Sequence, residues 1–243
     1  MNLLDEVLTA PRRVSLRMPD TRVIEHEGWY QVSTPSLRQG GLNEIAFAAL
    51  DERDADRVID ETLAHYAGRR FRWNVVPGSK PADLGERLAK RGMIRCETWG
   101  MARQTTPIAA PQDVEVKSVS KIADYTRMMA EGWGMDPVPL ATLHERALAQ
   151  PRIRMYVARV GGELAGCASY GGAETSAYFI GGVVLPRFRG RGVYRSMIAQ
   201  RLADACADGI SLAITHARAE TSAPMLSHLG FQTVCTFETY LSR

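Results

Sequence analysis

The stretch Val183-Val184-Leu185-Pro186-Arg187-Phe188-Arg189-Gly190-Arg191-Gly192-Val193-Tyr194-Arg195 has the make-up of an anion-binding bend. It reads as a buried strand, a basic glycine-rich turn and the start of a helix. Behind it Tyr194, Met197, Ile198, Leu202, Ala205 and Cys206 recur at helical spacing, and Gly209 stands where the helix should stop. The first amides of a helix have no partner inside it and carry about half a unit of positive charge. Two glycines just ahead of them let the backbone come close to a ligand. Such a turn suits a phosphate or a diphosphate, and a plain solvated strand–helix connection is the competing reading. The lysine and Ser/Thr of a P-loop are missing, and so is the spacing of a dinucleotide-binding GxGxxG.

The run VLPRFRGRGVYRSMI resembles the acetyl-CoA signature of the GNAT superfamily of N-acetyltransferases, where a strand ending in Val-x-Pro leads into Arg/Gln-x-x-Gly-x-Gly/Ala. Arg189 falls on the first position, Gly192 on the fourth and Tyr194 on the sixth, where the family has a small residue. The later run HLGFQTVCTFETYL matches the family's last helix, Leu-Gly-Phe and closing strand. The resemblance covers about residues 113 to 243. It implies that the backbone of Gly182, Val183 and Val184 runs beside the pantetheine arm of acetyl-CoA. The turn amides of Gly190, Arg191, Gly192, Val193, Tyr194 and Arg195 would hold the diphosphate. Arg187, Arg189, Arg191 and Arg195 can neutralise it. The Gly181-Gly182 pair fits this picture, since strand glycines mark bulges or close backbone approach; a packing gap would leave the same trace.

Acyl transfer from a thioester to an amine needs a neutral amine, yet a lysine-like amine has a pKa near about 10.4. A base or water chain must take the proton, and a backbone N–H suffices for the oxyanion. Many members of the family carry a tyrosine acid in the last helix. Here that position is Leu226, so Tyr194 becomes the candidate acid, with a core aromatic facing the sheet as its other reading. Some members use a carboxylate on the strand before the turn; the matching position is Tyr178. Glu174, earlier in that strand or in the loop before it, and His216, which titrates in the useful range, are the candidate bases. A solvated glutamate and a locally satisfied histidine are the alternatives. For the acceptor pocket, Trp133, Met135 and Asp136 combine an apolar wall with a charge that attracts an amine, and Tyr178 faces the same region.

The elements that position these residues follow from patterning. Residues 1 to 20 look like a leader arm broken by Pro11 and Pro19. Then come strands at GWYQVSTP and NEIAFAAL, an acidic-start helix over DERDADRVIDETLAHYAGR, a strand at FRWNVVP, a helix at PADLGERLAKRG and a strand at IRCETWGMAR. The run LAKRGMIRCETWGMA parallels LSHLGFQTVCTFETYL, which suggests a degenerate partial repeat of one fold; an unrelated α/β domain is the alternative. Its strand–helix junction, AALDERDADRV, has acids where the later one has glycines and arginines, so no cofactor is expected there. The stretch RQTTPIAAPQDVE lacks periodicity and is read as a linker at about 104 to 112. Beyond it the order is β-α-α-β-β-β-α-β-α-β. A helix is expected over SKIADYTRMMAEGW with Ser120 as its cap, GMDPVP as a loop, and a Gly161-Gly162 hairpin.

Composition sets the limits. The chain has 243 residues, 45% of them hydrophobic, enough for one large or two small domains with a real core. A net charge of +3 does not argue for nucleic acid. Cys96, Cys167, Cys206 and Cys235 have no metal-ligand spacing, so no metal is expected, and they read as reduced, buried thiols of a cytoplasmic protein. No apolar run approaches the roughly 20 residues that span a bilayer. The expectation is an α/β (α+β) protein with a mixed, mostly antiparallel sheet flanked by helices: a degenerate GNAT-like domain at 1–105 without cofactor, then a GNAT domain at 113–243. It would act as monomer or homodimer, transferring acetyl from acetyl-CoA to a small-molecule or peptide primary amine in a ternary complex. A catalytically inactive CoA-binding module is the rival.

Overall fold

The computed structural model describes residues 2–14 and 16–243. In chain order the elements are α1 (Leu3–Arg13), β1 (Arg22–His26), β2 (Trp29–Ser33), β3 (Glu44–Ala48), α2 (Ala55–His65), β4 (Arg72–Val75), α3 (Leu84–Lys90) and β5 (Ile94–Gln104). They continue as β6 (Val114–Ser118), α4 (Ile122–Trp133), α5 (Pro137–Leu148), β7 (Ile153–Val160), β8 (Glu163–Gly172) and β9 (Ser176–Val184). The last are α6 (Val193–Ala207), β10 (Leu212–Arg218), α7 (Ser222–His228) and β11 (Gln232–Leu241). Strand pairing is mixed and mostly antiparallel, as the sequence suggested; only β3–β4 and β9–β10 are parallel among the registers described.

Two compact units are built from discontinuous chain. The C-terminal unit takes Met1–Leu16, Gly100–His216 and Met225–Val234; the N-terminal unit takes Arg17–Trp99, Ala217–Pro224 and Cys235–Arg243. A single boundary at 104–112, as the linear sequence suggests, does not describe this division. In the C-terminal unit the strands lie in the order β10-β9-β8-β7-β6. Helices α4, α5 and α6 close its core through Tyr125, Met128, Ala147 and Met197. In the N-terminal unit the order is β1-β2-β3-β4, and β11 joins β4 through Glu238↔Val75 to Leu241↔Arg72. Its core gathers Ile45, Ile59, Tyr66, Trp73, Leu84 and Leu88.

The expected leader arm is instead a helix. Asn2 Oδ1 caps α1 by accepting from the Asp5 amide at 2.8 Å, and Asp5, Glu6 and Arg12, Arg13 stand at the ends that suit the helix dipole. Pro11 sits in the last turn, where it removes a single internal bond rather than breaking the helix. Strand β1 was not expected; it hairpins onto β2 from Arg22↔Ser33 to His26↔Trp29. Two boundaries also move. Lys121 rather than Ser120 precedes α4, and its side chain makes no cap bond. Helix α5 starts at Pro137, inside the expected loop, because Asp136 caps it. Of the thiols only Cys167 is buried, and Cys206 is exposed.

The suspected repeat has structural counterparts. In α3, Met93 N donates to Leu88 O and Gly92 N to Ala89 O; in α7, Phe231 N donates to Leu226 O and Gly230 N to Ser227 O. Gly92 and Gly230 hold the left-handed conformation that both helix ends need. The strand that leads into α2 and the strand that leads into α6 share a bulge as well. Trp29 to Gln31 on β2 span Ala48 to Ile45 on β3, and Cys167 to Ser169 on β8 span Val183 to Ile180 on β9, two steps against three each time.

Candidate active site

The site is built on the far end of β9. Strands β9 and β10 pair in parallel from Leu212↔Ser176 to Ile214↔Tyr178, and the described register ends there. Thr215 Oγ1 donates to Phe179 O at 3.1 Å, a side chain serving the last carbonyl before the strands part. Past this point β9 remains paired with β8 on one edge only, through Cys167↔Val183 and Gly166↔Val184. The bulge explains the glycine pair. Gly181 has φ +48 and packs against the Met129 methyl, and a Cβ on Gly182 would lie 3.0 Å from the Tyr194 ring. Side chains at either position would push helices α4 or α6 off the strand.

A cleft of about 310 Å³ opens over this segment, lined by Gly182, Val183, Val184, Leu185, Pro186 and Arg189 on one wall and by Glu131, Gly132 and Trp133 on the other. The walls meet closely, because a Cβ at position 132 would overlap the Val183 side chain. A short 3-10 turn, Pro186–Phe188, then carries the chain into the bend. Gly190 and Gly192 have φ +75 and +76, and Gly192 starts α6 with no side-chain cap. Ser196 N is the first amide to find a helix carbonyl, that of Gly192 at 2.9 Å. Among the described residues the amides of Gly190 through Arg195 make no hydrogen bond to a backbone carbonyl outside the helix, and no carboxylate caps them. Nothing lies within 4 Å of a Cβ on Gly190, whereas one on Gly192 would meet Pro111 Cγ at 2.6 Å. This cradle of backbone donors fits a diphosphate.

The arginines divide. Arg189 faces the cleft. Arg187 and Arg191 lie over the Phe188 ring at 4.9 and 5.7 Å, and Arg195 Nε donates to Ala109 O at 3.0 Å. A fifth cation went unnoticed in the sequence. Arg201, only 2% exposed, donates to the carbonyls of Met197 and Ser169 at 3.1 and 3.2 Å and stacks 4.5 Å over Phe179. Burial lowers its pKa, and its charge sits behind the bulged strand.

The candidate catalytic residues do not all come together. Tyr178 and His216 do: their rings meet edge-on at 5.4 Å, and His216 Nε2 lies 3.0 Å from Val7 O of α1. Tyr194 lies beneath the bulge against Gly182, and burial raises its pKa, which keeps the phenol protonated. Glu174 is exposed in the β8–β9 loop, eight residues of chain from Gly182 and so about 25 Å away at strand rise; the structure does not bring it to the cleft. Trp133 ends α4 and lines the cleft, 43% exposed. Met135 follows in the turn held by its own amide to Ala130 O at 3.0 Å. Asp136 is a cap, accepting from Val138 N at 2.9 Å, a role its position before Pro137 could have signalled. Leu226, where the family tyrosine would stand, is 1% exposed in the core. Glu131, Gly132, Leu185 and Pro186 line the cleft as well; they lie in the two stretches that the sequence marks, though none was singled out as a site residue. Among the described residues no cluster of His, Cys, Asp and Glu could hold a metal, and no helix is long and apolar enough to cross a membrane.

With this geometry in place, residues 110–213 match the model of the acetyltransferase (GNAT) domain. The chain is similar to GNAT domains over that stretch. Solved structures share its fold over nearly the whole length. A GCN5-related N-acetyltransferase from Kribbella flavida is 15% identical with a TM-score of 0.70, covering 100% of this chain and 96% of its own. A conserved protein of unknown function from Staphylococcus epidermidis is 14% identical, also at 0.70, covering 93% and 95%. A tandem GNAT protein from the clavulanic acid biosynthesis pathway is 15% identical at 0.58, covering 97% and 86%. No curated protein matches the sequence.

Proposed function

We propose that the C-terminal unit transfers an acetyl group from acetyl-CoA to a primary amine, carried by a small molecule or a peptide, by direct attack in a ternary complex. The observation that carries this reading is the bend at Gly190–Arg195, with its two left-handed glycines and uncapped helix start, which follows the cleft-lining end of β9 in the chain. Acetyl-CoA would supply the activated thioester. The amides of Gly190 to Arg195 would bind the diphosphate with Arg189, and the β9 backbone at Gly182, Val183 and Val184 would align the pantetheine arm as an added strand would. Holding the two reactants side by side lowers much of the barrier. His216 would take the amine proton, and Trp133, Met135 and Glu131 would wall the acceptor pocket. No cysteine stands in a nucleophile setting: the Cys167 thiol is buried and burial pushes its pKa up, which argues against a covalent intermediate. The four cysteines form no disulfide among the described residues, which suits a reducing cytoplasm.

The N-terminal unit is proposed to be structural. Its β3–β4 register stops at Ile45↔Trp73, but chain from the following loop occupies the edge beyond: Lys80 N donates to Ala48 O at 3.0 Å and Leu50 N to Lys80 O at 3.1 Å. The carboxylates near its α2 start are tied to Arg87, which pairs with Glu52, Asp56 and Asp83. The test is thiol release from acetyl-CoA against a panel of amines, with a thermal shift for CoA alone. Turnover on any amine supports the proposal. A CoA shift without turnover would make the chain a CoA-binding module, and no shift would remove the cofactor assignment, since a ligand that binds only the native state must stabilise it.

A further inference from the structure

Helix α1 belongs to the compact unit that carries the site, although some 80 residues of N-terminal unit follow it in the chain. Val7 and Ala10 are 0% and 1% exposed. Glu6 is buried too, accepting from Ser176 Oγ at 2.5 Å and Thr175 Oγ1 at 3.1 Å and pairing with Arg13 at 2.7 Å. Burial would raise its pKa, yet these partners hold it below the usual glutamate value. Val14 fills the space above Gly171 that a Cβ would need. The helix is therefore latched to the start of β9 by a charged, fully bonded carboxylate.

Its one irregularity lies opposite His216. In an α-helix the carbonyl of residue 7 would accept from the amide of residue 11. Residue 11 is proline, which has no N–H and whose ring pushes the carbonyl four residues back out of line. That carbonyl is the one His216 Nε2 meets at 3.0 Å. A carbonyl only accepts, so Nε2 carries the hydrogen, and Nδ1 is the nitrogen that can take a proton. The bond survives protonation and strengthens when the ring becomes cationic.

We propose that Pro11 and the Glu6 latch make α1 a positioning element of the C-terminal active site, with the freed Val7 carbonyl fixing the tautomer and aim of His216. This rests on the reading of His216 as the base. In the transfer, the amine nitrogen bonds to the acetyl carbon as its bond to sulfur breaks. One amine proton passes to Nδ1 and is handed on to the leaving thiolate or to water.

The test is tautomer-resolved proton–nitrogen NMR of the His216 ring in the full chain, in wild type, Pro11→Ala and Glu6→Ala, beside steady-state kinetics and CoA binding. Pro11→Ala restores the missing internal amide and favours the helix, so loss of fold does not confound it. The wild-type ring should be hydrogenated at Nε2. Both variants should mix the tautomers and lower kcat about tenfold, a fraction of the roughly 10²- to 10⁴-fold that a placed base supplies, with the CoA affinity unmoved. An Nδ1–H ring in the wild type overturns the proposal, as do variants with unchanged tautomer and kcat. If the wild type shows the Nε2–H ring but neither CoA binding nor turnover, the enzymatic reading fails and the proposal falls with it, while the helix contact itself stands.

Discussion

Replacing Gly190 separates backbone from charge at the bend proposed to hold the diphosphate. Its φ of +75 demands the left-handed region, and the space around its Cβ is open for 4 Å. Gly190→Ala therefore adds no clash and costs only conformational strain, about 1–2 kcal/mol. Some of that strain will distort the cradle, so CoA affinity should drop by about tenfold at most. Gly190→Glu has the same backbone cost and adds a carboxylate at the mouth of the cradle. At a separation of about 6 Å and an effective dielectric of about 40, each phosphate charge is repelled by about 1.4 kcal/mol. Two such charges make about 2.8 kcal/mol, so the glutamate variant should bind roughly a hundredfold more weakly than the alanine variant. Titration calorimetry with CoA at low salt measures both. The difference between the variants should shrink as salt is added, because the bend is exposed and screening acts within about 10 Å at 0.1 M, whereas the loss common to both should not. Equal affinities for Gly190→Ala and Gly190→Glu would show that no phosphate sits at these amides, and the cofactor assignment would go.

Other expectations concern the same unit. His216→Ala should cut turnover about a hundredfold or more while leaving CoA binding near wild type; an unaltered pH–rate profile would exclude it as the base. Gly132→Ala drives a methyl into Val183 and should cost about 1–3 kcal/mol in urea unfolding, partly recovered by adding Val183→Ala. No recovery would mean that α4 does not close on β9 as described. Burial holds the His144 imidazole down to about 4, with its Nδ1 2.8 Å from Thr126 Oγ1. Above about pH 6.5 the folded and unfolded forms are both neutral there and nothing is lost. Between there and pH 4 the unfolded chain binds a proton that the folded chain refuses, so stability should fall by about 3 kcal/mol in all. Urea midpoints at pH 7 and 4.5 should show this in wild type and a flatter dependence in His144→Gln.

How far the sequence revealed the molecule depended on whether the deciding interaction was local. The bend at 190–195, the Gly161-Gly162 hairpin and the two Gly-apolar helix ends are each specified within a few residues, and each formed where expected. Strand β1 escaped notice because neither face of RVIEH is buried, so no alternation marks it. Helix α1 was discounted on account of Pro11, although a proline in the last turn removes little. Asp136 and Arg195 look like ligands for an amine and a phosphate in the sequence; a helix start and the Ala109 carbonyl claim them instead. The contact between Val7 and His216 joins residues 209 positions apart, and no window along the chain contains it.

The two units of the chain differ at the feature on which the proposed cofactor site depends. Both have a parallel strand pair that stops early, and both have the bulge in the strand before the helix. At that bulge the C-terminal unit carries Gly181-Gly182 and the N-terminal unit Ala46-Phe47. After it, one has Gly190 and Gly192 in the left-handed conformation with no side-chain cap; the other has Asp51, Glu52 and Asp54, of which Asp54 flanks α2 without bonding its amides. Acids beside a helix N-terminus stabilise the helix and repel a diphosphate at once, and the Lys80 segment supplies the partner that the open strand edge would otherwise lack. The splay is thus a property of the fold, satisfied by the chain itself in one unit. What marks the other as the candidate binding site is the pair of left-handed glycines at its bend, where no acid stands beside the helix start.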